Sequence, residues 1–252
     1  MKGIILCGGM GTRLLPLTKV TNKCLLPIYN KPMIYWPLQT LVNSGIKDIM
    51  VVVGGNSASE FLRILGDGSD LGIKNLYYAY QKEAKGIANA LALGENWVGN
   101  QPVAVVLGDN LFENPIPDVI SDFERNPDGA RIFLTESNKP ECYGVVETTG
   151  ENVVSIEEKP KEPKSNQIAT GLYLYDKNVW DYIRTLKPSK RNELEITDLN
   201  NRYLSIGKLK AIKLNGWWSD CGESLDGYTQ VCYTASQLGK KNAKGRESAI
   251  QN

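Results

Sequence analysis

A short apolar run opening directly onto glycine constrains this chain more than any other feature. Lys2-Gly3-Ile4-Ile5-Leu6-Cys7 reads as a buried strand, and Gly8-Gly9-Met10-Gly11-Thr12-Arg13 follows without a spacer. Glycines let the backbone take positive φ and approach a ligand closely, so successive N–H groups can cradle phosphate oxygens. A plain tight turn is the simpler reading. Arg13 and Lys23 on the same loop stretch speak for an anion, since a bare turn needs no cations. The spacing lacks the Gly-Lys-Ser/Thr of a P-loop. It is also a broken dinucleotide fingerprint, because Leu14 stands where the third glycine belongs.

The same alternation continues downstream. Asp48–Val53, Leu76–Tyr80 and Val103–Leu107 read as buried strands, with helical patterns over Met33–Asn43, Ala58–Leu65 and Ile87–Trp97 between them. This order predicts an α/β fold with a Rossmann-like, doubly wound, mostly parallel sheet. Ligands of such sheets sit beyond the carboxyl ends of the strands, which directs Gly8–Arg13 and Gly108-Asp109-Asn110 to one cleft. After Ala130 the pattern turns strand-rich, over Arg131–Glu136, Gly144–Thr148, Val153–Glu157 and Ile168–Tyr175. Helical patterns follow at Asn178–Thr185 and Glu193–Ile206, a strand at Lys210–Leu214 and a last helix at Ser224–Leu238. No linker divides the chain, so residues 1–240 are expected as one unit and residues 241–252 as a polar, disordered tail.

Composition narrows the chemistry. The 252 residues contain no histidine, which excludes Ser-His-Asp and Cys-His catalysis and histidine metal sites. Carboxylates, Lys, Arg, backbone N–H groups and an oxygen-ligated metal remain. With 29 basic against 28 acidic residues, the net charge of +1 argues against nucleic acid or a membrane surface as partner. Five scattered cysteines without a C-x-x-C pair fit a reducing cytoplasm, and no apolar run approaches membrane-spanning length.

Several ordered motifs now add a resemblance. Gly3 to Leu14, Asn22-Lys23-Cys24-Leu25-Leu26-Pro27-Ile28 and Lys31-Pro32-Met33 closely resemble glucose-1-phosphate thymidylyltransferases, members of the sugar-nucleotide pyrophosphorylase family. Leu65-Gly66-Asp67-Gly68, Leu107-Gly108-Asp109-Asn110, Tyr143 to Glu147, Glu157 to Lys161, Thr170 to Tyr173, Glu193 to Thr197 and Trp218 to Gly222 extend it over residues 1 to 225. The resemblance is to a short form, without the further C-terminal helices that build a regulatory nucleotide site in long relatives.

This resemblance implies transfer of a nucleotidyl group from dTTP to a sugar 1-phosphate, most simply α-D-glucose 1-phosphate, with Mg²⁺ as cofactor. The strand-rich part is then an inserted sugar-binding part. Leu6, Gly8, Gly9, Gly11, Thr12, Arg13, Lys23, Gln81 and Gly86 are implied to hold the nucleotide. Asn110, Gly144, Glu158, Lys159, Ala169, Thr170 and Arg191 are implied to hold the sugar phosphate, and Asp109 and Asp220 the metal. Arg13, Lys23 and Lys159 carry the catalytic roles, and a homo-oligomer, dimer or tetramer, is implied.

Read from the residues alone, Asp109 and Asp220 also suit turns, Lys and Arg also suit solvated surface, and Gln81 also suits an exposed strand end. Two positions depart from the resemblance: Cys24 stands where Gln is common, and Ala169 where Val is common. The Tyr77, Tyr78, Tyr80 group and Trp217-Trp218 read as core and interface. Three alternatives stay open: a uridylyltransferase of the same fold, since Gln81 does not separate thymine from uracil; a catalytically silent sugar-nucleotide-binding subunit; and a dinucleotide oxidoreductase, disfavoured by the broken fingerprint.

Overall fold

The computed structural model describes residues 1–55 and 57–250, with side chains of the last helix described through Gly239. The first half runs β1 (Lys2–Cys7), the hairpin β2 (Pro27–Ile28) and β3 (Lys31–Pro32), α1 (Tyr35–Asn43), β4 (Asp48–Gly54) and α2 (Ala58–Leu65). It continues with β5 (Asn75–Gln81), α3 (Ile87–Ala92), α4 (Glu95–Val98), β6 (Val103–Leu107) and β7 (Asn110–Phe112). The second half holds α5 (Pro117–Arg125), β8 (Ala130–Glu136), β9 (Gly144–Thr149), β10 (Asn152–Glu158) and β11 (Gln167–Tyr175). It closes with α6 (Val179–Thr185), α7 (Ile196–Ser205), β12 (Leu209–Lys213), β13 (Trp218–Asp220) and α8 (Leu225–Ile250).

Nine strands form one sheet in the order β5-β4-β1-β6-β11-β8-β12-β10-β9. The expected parallel pairing holds for β5, β4, β1 and β6. Beyond β6 the sheet is mixed. β11 lies antiparallel to both β6 and β8, and β12 returns parallel to β8. The reading "mostly parallel" therefore applies to the first half alone. Strand direction is a matter of connection, and a run of alternating apolar residues carries no sign of it.

Alternate residues of the central strands feed opposite faces, as a period of two requires. Ile4, Leu6, Val103, Val105, Tyr173 and Tyr175 pack with α3, α6 and α7 residues such as Leu91, Trp180 and Leu199. Ile5, Val51, Val106, Leu172 and Leu174 pack beneath Leu38 of α1, Phe61 of α2 and Phe123 of α5. A third, smaller cluster joins Leu14, Ile28, Met33, Leu111, Cys221, Val231 and Ala235. It anchors the glycine loop, the hairpin and the β7–β13 pair onto α8.

Two details correct the sequence reading. The helix expected over Ile87–Trp97 breaks into α3 and α4 around Gly94. The last helix, expected to end at Leu238, continues in its backbone to Ile250, so the start of the expected tail is helical. Residues 251 and 252 of that tail lie outside the described residues.

Gly86 shows how tightly the halves meet. It has φ +98°, and a Cβ there would lie 2.5 Å from the Leu194 carbonyl oxygen. Leu194 N–H donates to Lys85 O at 2.8 Å and Ala88 N–H to Leu194 O at 3.1 Å, which staples the start of α3 to the segment before α7. Gly86→Ala is therefore expected to destabilise the fold by about 2–4 kcal/mol, from backbone strain plus overlap. Urea unfolding measures this; an unchanged midpoint would contradict it.

Candidate active site

β1 and β6 are neighbours in parallel register, with Leu6 opposite Leu107. The loops leaving their carboxyl ends, Gly8–Arg13 and Gly108–Asn110, therefore emerge side by side. Among the described residues, the N–H groups of Gly9, Met10 and Gly11 have no acceptor within the protein. Gly11 at φ +65° turns the chain into a 3-10 turn over Thr12–Leu14. The result is a row of free donors over the strand ends, suited to phosphate oxygens.

Lys23 reaches this place through a capped turn. Asn22 accepts the Cys24 N–H at 2.9 Å and donates its own amide to Cys7 O at 3.1 Å, which ties the turn Lys23–Leu25 to the end of β1. Cys24 itself is fully buried, so its thiol packs inside and leaves Lys23 as the residue facing the cleft. The Lys23 ammonium pairs with the Asp109 carboxylate.

Asp220 completes the group from β13, which pairs with β7 so that Asp220 lies opposite Asn110. A Cβ built on Gly222 would lie 2.5 Å from Asp109 Oδ2, 3.1 Å from Lys23 Nζ and 3.2 Å from Asp220 Oδ1. Two carboxylates and an ammonium thus converge on a space that only glycine leaves open.

The two acids differ electrostatically. Burial opposes ionisation of Asp109, but the Lys23 ammonium and hydrogen bonds outweigh it and hold the carboxyl below its ordinary range. Burial pushes Asp220 up to about 6, with the Asp109 charge adding to it and Lys23, the Gly222 N–H and Arg13 opposing it. Arg13, exposed on the glycine loop, is thereby placed within electrostatic reach of Asp220.

Among the described residues no group of three His, Cys, Asp or Glu side chains could hold a metal ion. The protein offers two carboxylates, hard oxygen donors flanking one open space. That set suits a divalent ion that takes its other ligands from water and substrate phosphates.

Gln81 ends β5 opposite Gly54 of β4 and is buried. Its amide donates to Asn89 Oδ1 at 3.1 Å and to Gly86 O at 3.5 Å. Its Oε1 presses on Gly8, where a Cβ would come within 2.2 Å. The amide hydrogens are thus engaged internally, and Oε1 lies against Gly8.

The residues implied to hold the sugar phosphate gather on the strand-rich side. Gly144 faces Thr197, Glu158 and Ala169, at 3.4, 3.7 and 3.9 Å from its built Cβ. Glu158 accepts from Thr197 Oγ1 at 2.5 Å, and its other oxygen lies 3.8 Å from Lys159 Nζ and 3.6 Å from Arg191. Arg191 is held in a fork by Glu195, at 3.1 and 2.8 Å. Among the described residues, the buried Thr170 hydroxyl has no partner.

Asn110 works differently from a simple sugar contact. Its Oδ1 accepts the Gly171 N–H and the Trp218 indole N–H, both at 2.8 Å, and its amide donates to Asp109 at 3.2 Å. It is a strut between β11, β13 and the Asp109 carboxylate. Trp218, read from sequence as core or interface, thus belongs to the framework of the site.

Sequence reading also passed over Thr197, Glu195 and Tyr173. The buried Tyr173 phenol is pushed well above its ordinary range by burial and then by Glu158, Asp109 and Asp220. All three residues lie within the recognised motifs, but hydroxyl and carboxylate side chains there gave no sign of their partners.

Residues 2–236 match the family model described as nucleotidyl transferase. The chain belongs to that nucleotidyl transferase family. Its relatives are more particular. It is 47% identical over 232 residues to the glucose-1-phosphate thymidylyltransferase of Neisseria meningitidis, covering 89% of this chain and 80% of that protein. It is 46% identical over 226 residues to the enzyme of the same name from Mycobacterium tuberculosis, covering 88% and 78%. A Bacillus anthracis crystal structure assigned to the glucose-1-phosphate thymidylyltransferases, in complex with sucrose, superposes with a TM-score of 0.88 at 45% identity, covering 93% of this chain and 95% of that one. A UDP-glucose pyrophosphorylase complexed with UDP-glucose gives 0.81 at 26% identity, over 94% and 98%. Enzymes of this family generally use a divalent metal ion.

Asp220→Asn gives a stability test of the site. Protonated Asp220 stabilises the fold fully below about pH 4, and that contribution is lost as pH rises through about 6. The variant should therefore be more stable than the parent at pH 7.5 by about 1–2 kcal/mol without added metal, and the gain should shrink by pH 5. Urea unfolding at both values measures it; a variant less stable at pH 7.5 would contradict the electrostatics.

Proposed function

We propose that this chain joins α-D-glucose 1-phosphate to dTTP, releasing dTDP-glucose and pyrophosphate. One observation carries the reading: Lys23, Asp109, Asp220 and the free N–H row of Gly9–Gly11 share one end of a cleft whose other end holds Glu158, Lys159 and Arg191. That arrangement supports a triphosphate end facing a sugar-phosphate end. The high identity to thymidylyltransferases favours dTTP over UTP. The presence of Arg13, Lys23 and both aspartates disfavours a silent subunit.

In this mechanism an oxygen of the sugar 1-phosphate attacks the α-phosphorus of dTTP. A new P–O–P bond forms as the bond to the β-phosphate breaks, and pyrophosphate carries away the electron pair. The attacking phosphate is an anion at neutral pH, so no general base is needed, which accords with a chain free of histidine. Catalysis is then placement and charge neutralisation. The loop N–H groups and Arg13 hold the triphosphate, Lys23 faces the α-phosphate side, and Lys159 with Arg191 orients the nucleophile. Gln81 Oε1, beside Gly8, faces the base, with Gly86 shaping that end; Glu158, Gly144, Ala169 and Thr170 line the sugar, and Asn110 braces it. Asp109 and Asp220 would hold Mg²⁺, which would supply positive charge to the phosphates.

The enzyme would work in the cytoplasm, in keeping with five free cysteines, and as a dimer or tetramer. Tyr77 and Tyr80 are about half exposed, on opposite faces of the edge strand β5. No described helix is long and apolar enough to cross a membrane.

A pyrophosphate-release assay crossing dTTP, UTP, CTP, GTP and ATP with several sugar 1-phosphates and Mg²⁺ tests the reading. The highest rate is expected for dTTP with glucose 1-phosphate; no release with any pair would overturn it. Arg13 is exposed and makes no ion pair among the described residues. Arg13→Ala is thus expected to lower kcat by about 10²–10³ with little change in Tm. Turnover within twofold of the parent would remove its assigned role.

A further inference from the structure

Tyr143 touches both sides of the cleft through groups that the reaction above leaves unused. Its carbonyl oxygen accepts the Lys159 N–H at 2.9 Å. Lys159 sits at φ +47°, a conformation rarely adopted outside glycine, so this bond helps fix where the end of β10 delivers the ammonium. The Tyr143 phenol donates to Glu223 Oε2 at 2.9 Å. Glu223 follows Asp220-Cys221-Gly222 directly, on the segment that carries the second metal-side carboxylate. The Tyr143 ring also stands edge-on to Trp218, with centroids 5.7 Å apart at 71°. Trp218 in turn is tied to Asn110 and, through it, to Asp109.

We infer that Tyr143 and Glu223 form a positioning latch that sets the sugar-phosphate side of the cleft, at Lys159, against the carboxylate side, at Asp220. This rests on the function proposed above. In-line displacement tolerates little misplacement, and an error of about 1 Å costs on the order of 10²-fold in rate. The pair spans the cleft: Tyr143 precedes β9, in the strand-rich part, and Glu223 lies between β13 and α8. The Tyr143 phenol makes no other hydrogen bond among the described residues, and Glu223 also meets the Cys142 thiol. The latch therefore acts on geometry without touching the reacting atoms.

Four variants test it: Tyr143→Phe, Glu223→Ala, Glu223→Gln and the double variant Tyr143→Phe/Glu223→Ala. Each single loss of the bond should lower kcat/KM for the sugar 1-phosphate by about tenfold. The KM for the triphosphate should stay within about twofold of the parent's, and the double variant should be no worse than either single one. Glu223→Gln keeps an acceptor and should stay within about threefold of the parent. Hydrogen exchange at the Lys159 amide should quicken in Tyr143→Phe and Glu223→Ala, a readout independent of turnover. Equal losses for both substrates, additive effects, or unchanged Lys159 exchange would overturn the latch. A parent protein without turnover would instead overturn the proposed function and leave the latch to the exchange measurement. If Glu223→Ala fails to fold, Tyr143→Phe, which removes one oxygen, decides alone.

Discussion

A lysine ammonium held against a buried carboxylate is the interaction on which the cleft depends. Lys23 comes from the loop after β1 and Asp109 from the end of β6, and these strands are hydrogen-bonded neighbours. The pair therefore forms as a consequence of sheet order. A buried ion pair is weak evidence for stability, because desolvation offsets much of the attraction. Here its use is electrostatic placement. Lys23 keeps Asp109 ionised, and Asp109 in turn resists the ionisation of Asp220. The site is thus short of positive charge at the point where a divalent ion and phosphates would meet.

The mixed half of the sheet supplies the opposite wall. Because β11 runs antiparallel beside β6, the strand stretch Ala169-Thr170-Gly171 lies near Asn110 at the carboxyl end of β6. A continued parallel sheet would have required a crossover connection at that point, with a helix on one face. The hairpin of β9 and β10 then carries Gly144, Glu158 and Lys159 to the same opening. Two structural styles in one sheet give one group of site residues carried on loops and another, with Gly144, Glu158 and Lys159, carried at strand ends.

Much of this was legible in the sequence, for identifiable reasons. The bounds of β1, β6 and α2 follow from uninterrupted apolar runs and a regular helical period. The glycine loop with Arg13 and the two aspartates were recognisable because glycine sets them off, and Lys23 because it lies on the same loop stretch. The β2–β3 and β7–β13 pairs escaped notice, since strands of two or three residues are too short to show a period. Partners were the least legible part. Asn110 is implied by the resemblance to contact the sugar, yet its oxygen is committed to Gly171 and Trp218. Gln81 reads as a donor and acceptor pair, yet its hydrogens are engaged by Asn89 and Gly86. A residue type states what a side chain is able to bind, and only the fold states what it already has.

The central claim is a single direct displacement, with no protein nucleophile and no nucleotidyl-enzyme intermediate. The stereochemistry at phosphorus tests this most directly. Turnover of one diastereomer of dTTP bearing sulfur on the α-phosphorus, with glucose 1-phosphate, gives a thio-substituted product whose configuration phosphorus NMR reads. One in-line attack requires inversion at that phosphorus. Net retention would mean two successive displacements through a covalent enzyme intermediate and would contradict the account.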